Sequence, residues 1–338
     1  MRFVYFFIFL FGCSEALAQT RTSVGVTTNI RALAVIDSLH WWFGGSGGWL
    51  GHTADGGKSW ELWQPAGSAV DFRSIHAFNQ QEAVAAIAGQ PAQIYRTQDG
   101  GKRWELVHWL KDTTAFIDAI GFWNAHDGLL FGDPLPDGKM LLLQTSDGGR
   151  SWEAMPDSSR PKFYPGEAAF AASGTAMHCV GDSTVVIVSG GSVSRFWFSH
   201  NRGRSWQVVV NEPMQAGLPS QGAFSVAHNQ ADSSWLVVGG DYLREQELSG
   251  NIGILKKNKW LSPKFPPRGY RECVVMLNAG AWIATGPAGS DVSWDAGNTW
   301  VPFNDENGMH VAKPIGFGGL LLAGKGGSLL RYTLLHKP

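Results

Sequence analysis

Residues 97–104 read T-Q-D-G-G-K-R-W, and near-copies of this string recur along the chain. The same S/T-x-D/N-x-G-x-x-W pattern stands at residues 53–60, 145–152, 199–206 and 293–300. Its third position is Asp55, Asp99, Asp147, Asn201 and Asp295, so successive copies lie 44, 48, 54 and 94 residues apart. The last gap is about two periods, and residues 252–260, ending Asn258-Lys259-Trp260, read as a degenerate copy inside it. A repeat of this length, rich in glycine and aromatics, specifies a blade of four antiparallel strands in a β-propeller. Within each copy the Asp side chain is expected to accept backbone N–H groups one to three residues on. The Gly takes a positive φ, the Ser or Thr hydroxyl adds a second clasp, and the Trp opens the next strand and packs on its neighbours. A motif used five times is a structural turn rather than a unique active site.

Five copies of the motif resemble the Asp-box (BNR) repeat proteins over nearly the whole chain after its N-terminus. Two longer strings, F-I-D-A-I-G-F-W at residues 116–123 and P-G-E-A-A-F-A-A-S-G-T at residues 165–175, are most similar to exported bacterial relatives of the photosystem II stability/assembly factor family. Some of these relatives carry oxidoreductase or glycosyl hydrolase labels. The resemblance implies a non-enzymatic binding or assembly propeller whose ligand or client sits at the channel mouth. An alternative from another class is a glycoside hydrolase, sialidase-like or polysaccharide-cleaving, which needs a carboxylate pair about 5 to 9.5 Å apart across the channel.

Composition agrees with an all-β chain. Of 338 residues 44% are hydrophobic and 16% charged, against about 25% charged in an average domain. The 43 glycines and 16 tryptophans suit tight turns and aromatic packing rather than long helices. A net charge of −1 provides no global field for nucleic acid, and after the N-terminus no apolar run is long enough to span a membrane.

Residues 1–18 read as a signal peptide: Arg2, the apolar run 3–11, and the small-residue site Ala16-Leu17-Ala18 before Gln19. The expected location is periplasmic or secreted, with lipid attachment at Cys13 as the alternative. Residues 19–338 then form one domain. Cys179 and Cys273 fall on strands of non-adjacent blades and are expected to remain free thiols.

The first inner strand is expected near residues 31–36, and equivalent strands start near Arg73, Asp118, Glu167, Gly222, Arg271 and His310. That makes seven blades. The last supplies three strands, so residues 22–28 are expected to close the ring as its fourth, which removes an exposed sheet edge. Every Asp box then lies on the bottom face, and the starts of the inner strands lie on the top.

Aligning those starts sets Arg31, Arg73, Asp118, Glu167, Gly222, Arg271 and His310 around one rim. Turns on the same face add Asp133, Asp241, Tyr242, Asp291 and Lys325, and Tyr270 precedes Arg271. The expected binding set is Arg31, Arg73, Asp118, Glu167, Asp241, Tyr242, Tyr270, Arg271 and His310, and it suits a polar or anionic ligand such as a saccharide or a segment of a protein client. Asp118 with Glu167, or Asp133 with Asp241, are the catalytic candidates for a glycosidase. Mutual ion pairing of the same groups is the competing structural reading. There is no phosphate loop, dinucleotide fingerprint, C-x-x-C or H-E-x-x-H, so no cofactor and no metal are expected. The protein is expected to be a monomer.

Overall fold

The computed structural model describes residues 18–277, 281–316 and 318–333. Most of the expected signal sequence, Cys13 included, lies outside the described residues. The rest forms seven four-stranded antiparallel blades arranged in a ring, with almost no helix. From the inside outwards the first blade is Ile30–Val35, Trp41–Gly45, Leu50–Thr53 and Glu61–Trp63. The inner strands that follow are Phe72–Ala77, Ile117–Phe122, Met177–Val180, Gln221–Asn229, Cys273–Met276 and Met309–Ile315. The middle strands of each blade are nearly continuous apolar runs, as burial on both faces requires; Trp41, Trp42 and Phe43 are all buried.

The seventh blade contains Ser328–Thr333, and the strand that completes it is Ala18–Ser23, paired from Ala18↔Thr333 to Ser23↔Ser328. Closure by an N-terminal strand is as expected, but the strand starts earlier than the expected 22–28 segment and shares only Thr22 and Ser23 with it. Val24 is buried in the core, and its N–H bonds to Gly327 O at 3.0 Å. The strand ends at Ser23, and residue 24 still bonds the residue just before its partner strand.

Each Asp box is a doubly clasped hairpin on the bottom face. In the first, Thr53 Oγ1 donates to Asp55 Oδ1 (2.8 Å) and accepts from Gly57 N–H (3.0 Å), while Asp55 Oδ1 accepts from the N–H groups of Lys58 and Ser59 at 2.9 and 3.0 Å. The carboxylate thus caps groups three and four residues on, the first at the far end of the expected span and the second just beyond it. The conserved-pattern glycine has a second role besides its φ of +85°: a Cβ at Gly57 would stand 2.8 Å from the Trp41 ring. Residues 252–260 are not an Asp box. Ile252–Lys256 and Lys259–Leu261 are joined by Lys257 and Asn258, both at positive φ, a two-residue hairpin that does the same job with fewer residues.

Neighbouring inner strands are stitched by short side chains. Ser74 Oγ accepts Ile120 N–H (2.8 Å), Ser225 Oγ accepts Val274 N–H (3.0 Å), and Cys273 Sγ accepts Ala312 N–H (3.5 Å). Cys273 and Cys179 are both free, and burial pushes the Cys179 thiol up to about 12. Neither is poised as a nucleophile.

Candidate binding site at the channel mouth

The inner strands share a defect that builds the mouth. Pairing skips one residue between Ile30 and Ala32, Phe72 and Ser74, Ile117 and Ala119, Ala223 and Ser225, and Met309 and Val311. The bulged residues are Arg31, Arg73, Asp118, Phe224 and His310. A bulge leaves one residue out of the ladder and re-aims its side chain, here at the same height in five blades. In the sixth blade the ladder runs from Cys273↔Thr285, and the residue just before it is Glu272. The expected equivalence therefore slips by one there, from Arg271 to Glu272, and by two in the fifth blade, from Gly222 to Phe224.

Glu272 sits at the centre of the resulting cluster. Its Oε1 accepts Arg31 Nη1 at 3.0 Å and lies 3.4 Å from the Tyr270 hydroxyl, and its Oε2 is 2.5 Å from His310 Nδ1. Burial pushes this carboxyl up, but His310 and Arg31 outweigh it and hold the Glu272 carboxyl below its ordinary value. Burial raises Tyr270 well above the ordinary phenol.

A segment that crosses the mouth completes the site. Glu167–Ala168 does not begin an inner strand; it pairs with Gly190–Gly191, and the inner strand of the fourth blade begins only at Met177. The intervening residues 169–175 reach over to other blades. Ala172 O accepts Arg31 Nη1 (2.9 Å), Ser173 Oγ donates to Glu272 O (2.8 Å), and Ala169 N–H donates to Asp133 Oδ1 (2.8 Å). Phe170 stacks on Phe224 at 3.9 Å and 12°, with Tyr242 edge-on to both rings. One side of the mouth is charged and the other aromatic. Arg31 and Arg73 keep 22% and 32% of their side chains exposed, and Tyr242 is 42% exposed.

Other expected residues are engaged elsewhere. Glu167 is fully enclosed: Arg195 Nε donates to Oε1 at 2.8 Å, Arg195 Nη2 donates to Oε2, and Ser189 Oγ donates to Oε1 at 2.5 Å. Arg271 is buried against Asp291, which it shares with Arg268. Asp241 caps a turn, accepting Leu243 N–H, Gln221 Nε2 and Arg244 Nε. Of the two catalytic pairings, then, Glu167 and Asp241 are each satisfied within the protein. Asp118 is wholly buried, with no hydrogen-bond partner for either oxygen among the described residues. Burial first, and then the Asp133 charge, push its carboxyl well above the ordinary range, with Arg73 opposing; burial raises Asp133 to about 6. Among the described residues no three His, Cys, Asp or Glu side chains gather to hold a metal ion.

Sequence reasoning missed Glu272, Phe170 and Phe224. Glu272 is adjacent to an expected residue, and only the ladder register reveals which of the two faces the mouth. The string at residues 165–175 carries the family resemblance, but nothing local in it signals that it spans the channel.

A seven-bladed ring locked by Asp-box hairpins, with ionic and aromatic side chains converging at one channel mouth, defines an Asp-box β-propeller. The chain belongs to the family described as photosynthesis system II assembly factor YCF48, which it matches over residues 15–332. Among solved structures it is similar to one titled YCF48 bound to D1 peptide, with a TM-score of 0.66 and 18% identity over 94% of this chain and 97% of that one. It is also similar to YCF48 from Cyanidioschyzon merolae, with a TM-score of 0.63 and 16% identity over 93% of this chain and 98% of that one. At these identities the likeness is one of fold. No curated protein matches the chain.

Proposed function

We propose that this chain is an exported, non-enzymatic assembly propeller that holds a carboxylate-bearing segment of a client protein at the channel mouth. The observation that carries the reading is the pair Arg31 and Arg73, bulged toward the mouth from adjacent blades and still partly open to solvent. Arg31 is oriented by Glu272 and Ala172 O, so its fork is preorganised and loses little freedom when it meets an anionic group. The aromatic wall beside it, Tyr242 over Phe170 and Phe224, suits an apolar residue next to the acidic one. Family membership and the D1 peptide held by the YCF48 structure favour a protein segment over a saccharide. The engagement of Glu167 by Arg195 and of Asp241 by Arg244 favours binding over glycoside hydrolysis. Export is supported by the N-terminal pattern of Arg2, the apolar run 3–11 and Ala16-Leu17-Ala18.

The test is capture of peptides from a library, and of proteins from membrane extracts, by the mature chain and by Arg31→Ala and Arg73→Ala. Each substitution is expected to weaken capture roughly ten- to hundredfold, the worth of a charged hydrogen bond of about 1.5–3 kcal/mol, with oligosaccharides left uncleaved. Unchanged capture in both variants, or saccharide turnover by the parent, would overturn the reading.

A further inference from the structure

Below the mouth the inner strands set a second ring of side chains. Three residues on from the bulged Arg31, Arg73, Asp118, Phe224 and His310 stand Ala34, His76, Gly121, Ala227 and Lys313, and three on from Glu272 stands Val275. In the fourth blade the matching residue is His178: a Cβ on Gly121 would meet Met177 Cε at 3.1 Å and Cys179 Sγ at 2.8 Å, the neighbours on either side of it. At about 3.3 Å per residue this level lies roughly 10 Å below the mouth. Ala34, Gly121, Ala227 and Val275 are small or apolar, so the chemistry of the ring is two imidazoles and one amine.

These three groups meet in the channel. His76, His178 and Lys313 belong to the second, fourth and seventh blades, no two of them neighbours, and all three are half-buried. Burial first, and then the charge of Lys313, push both histidines down to about 4. A charge felt in two blades, neither of them next to its own, stands in the channel itself rather than between blades. Burial pushes the Lys313 amine down as well, and the ionisable group beside it is the Cys273 thiol. His178 also feels His228 and meets the Trp235 ring edge-on, while His76 packs on the Phe78 and Phe122 rings at 4.8 and 4.6 Å. Among the described residues no carboxylate acts on any of the three.

We infer that the ring of His76, His178 and Lys313 binds a small oxyanion of the sulfate or phosphate class inside the channel. A cationic cluster with no counter-charge is unfavourable in a confined, partly desolvated lumen. An anion with several acceptor oxygens satisfies it: Lys313 brings three N–H donors, and each protonated imidazole brings another. The short side chains of Ala34, Gly121 and Ala227 leave room at this level. Both histidines are neutral at pH 7 without a counter-ion, so an anion that binds there draws protons onto them, and its affinity increases as pH falls. The ring is separate from the client site at the mouth, where Arg31 is already paired with Glu272.

Calorimetric titration of the mature chain with sodium sulfate at fixed ionic strength tests this, because sulfate keeps its charge throughout the range in which histidines titrate. One saturable site is expected, with an affinity that rises about tenfold per pH unit for each proton taken up. Lys313→Gln is expected to weaken it roughly ten- to hundredfold, the worth of one charged hydrogen bond. Because a channel variant can fail to fold, the pH dependence of the parent provides a second measurement that needs no substitution. Absence of saturable binding at about pH 5 overturns the inference, as does an affinity indifferent to pH. Sulfate binding abolished by Arg31→Ala but untouched by Lys313→Gln also overturns it, and assigns the anion to the mouth instead.

Discussion

Arg195 holds Glu167 through both carboxylate oxygens inside the fourth blade, with its guanidinium sandwiched between the Tyr164 and Trp197 rings at 4.2 and 4.1 Å. Bound in this way, the Glu167 carboxylate anchors the segment that crosses the channel. Glu167→Gln leaves the Arg195 charge buried and uncompensated, and is expected to cost about 3–5 kcal/mol of stability. Denaturant unfolding reads the loss directly. A variant as stable as the parent would show that the pair contributes nothing to the fold.

The carboxyls of Asp133 and Asp147 are shifted in opposite directions. The folded Asp133 carboxyl lies at about 6, above its ordinary 3.8, so its contribution is present below about pH 4 and is lost as pH rises through 6. Asp133→Asn keeps an acceptor for Ala169 N–H and is expected to gain stability over the parent at pH 7 but not at pH 4. In Asp147 burial raises the carboxyl, but the clasping Ser151, Thr145 and Arg150 groups together lower it to about 2, so its contribution is lost as pH falls from about 4 to 2. Asp147→Asn should flatten that acid limb, because Asn201 performs the same clasp naturally, accepting Ser205 N–H at 2.9 Å. The difference between variant and parent, measured by thermal melting across pH, isolates each group from the others that titrate.

The last Asp box contains adjacent positions with opposite expectations. Ala296 has φ +59°, where three of the other four boxes carry glycine. Relief of the left-handed penalty, set against glycine's greater unfolded freedom, makes Ala296→Gly stabilising by about 0.5 kcal/mol. At Gly297, φ is +88° and a Cβ would stand 2.5 Å from Leu236 Cδ1, so Gly297→Ala is expected to destabilise by about 1–3 kcal/mol. Equal melting temperatures for the two variants would contradict both assignments.

Removing residues 18–23 strips the outer strand from the seventh blade and exposes Ser328–Thr333 as an unprotected edge. Aggregation, or a loss of several kcal/mol in a chain that remains soluble, is the expected result. Light scattering and denaturant titration of the truncated protein provide the check, and unchanged behaviour would mean that closure depends on other contacts.

The sequence by itself determined the blade, the number of blades and the closing of the ring by the N-terminal strand. Those features rest on local chemistry: an Asp or Asn side chain, a hydroxyl and a glycine within eight residues form the same turn wherever they occur. It also marked Arg31, Arg73, Asp118 and His310, whose positions recur at the starts of inner strands. Tertiary structure decided which charges face the mouth, because a one-residue change of register turns a side chain to the other face of a strand. By that rule Glu272 reaches Arg31 and His310, while its neighbour Arg271 is buried with Asp291. It alone sent residues 169–175 across the channel, through contacts such as Arg31 to Ala172 that join residues 141 positions apart. No local pattern encodes such a contact, since its energy exists only once the ring has closed.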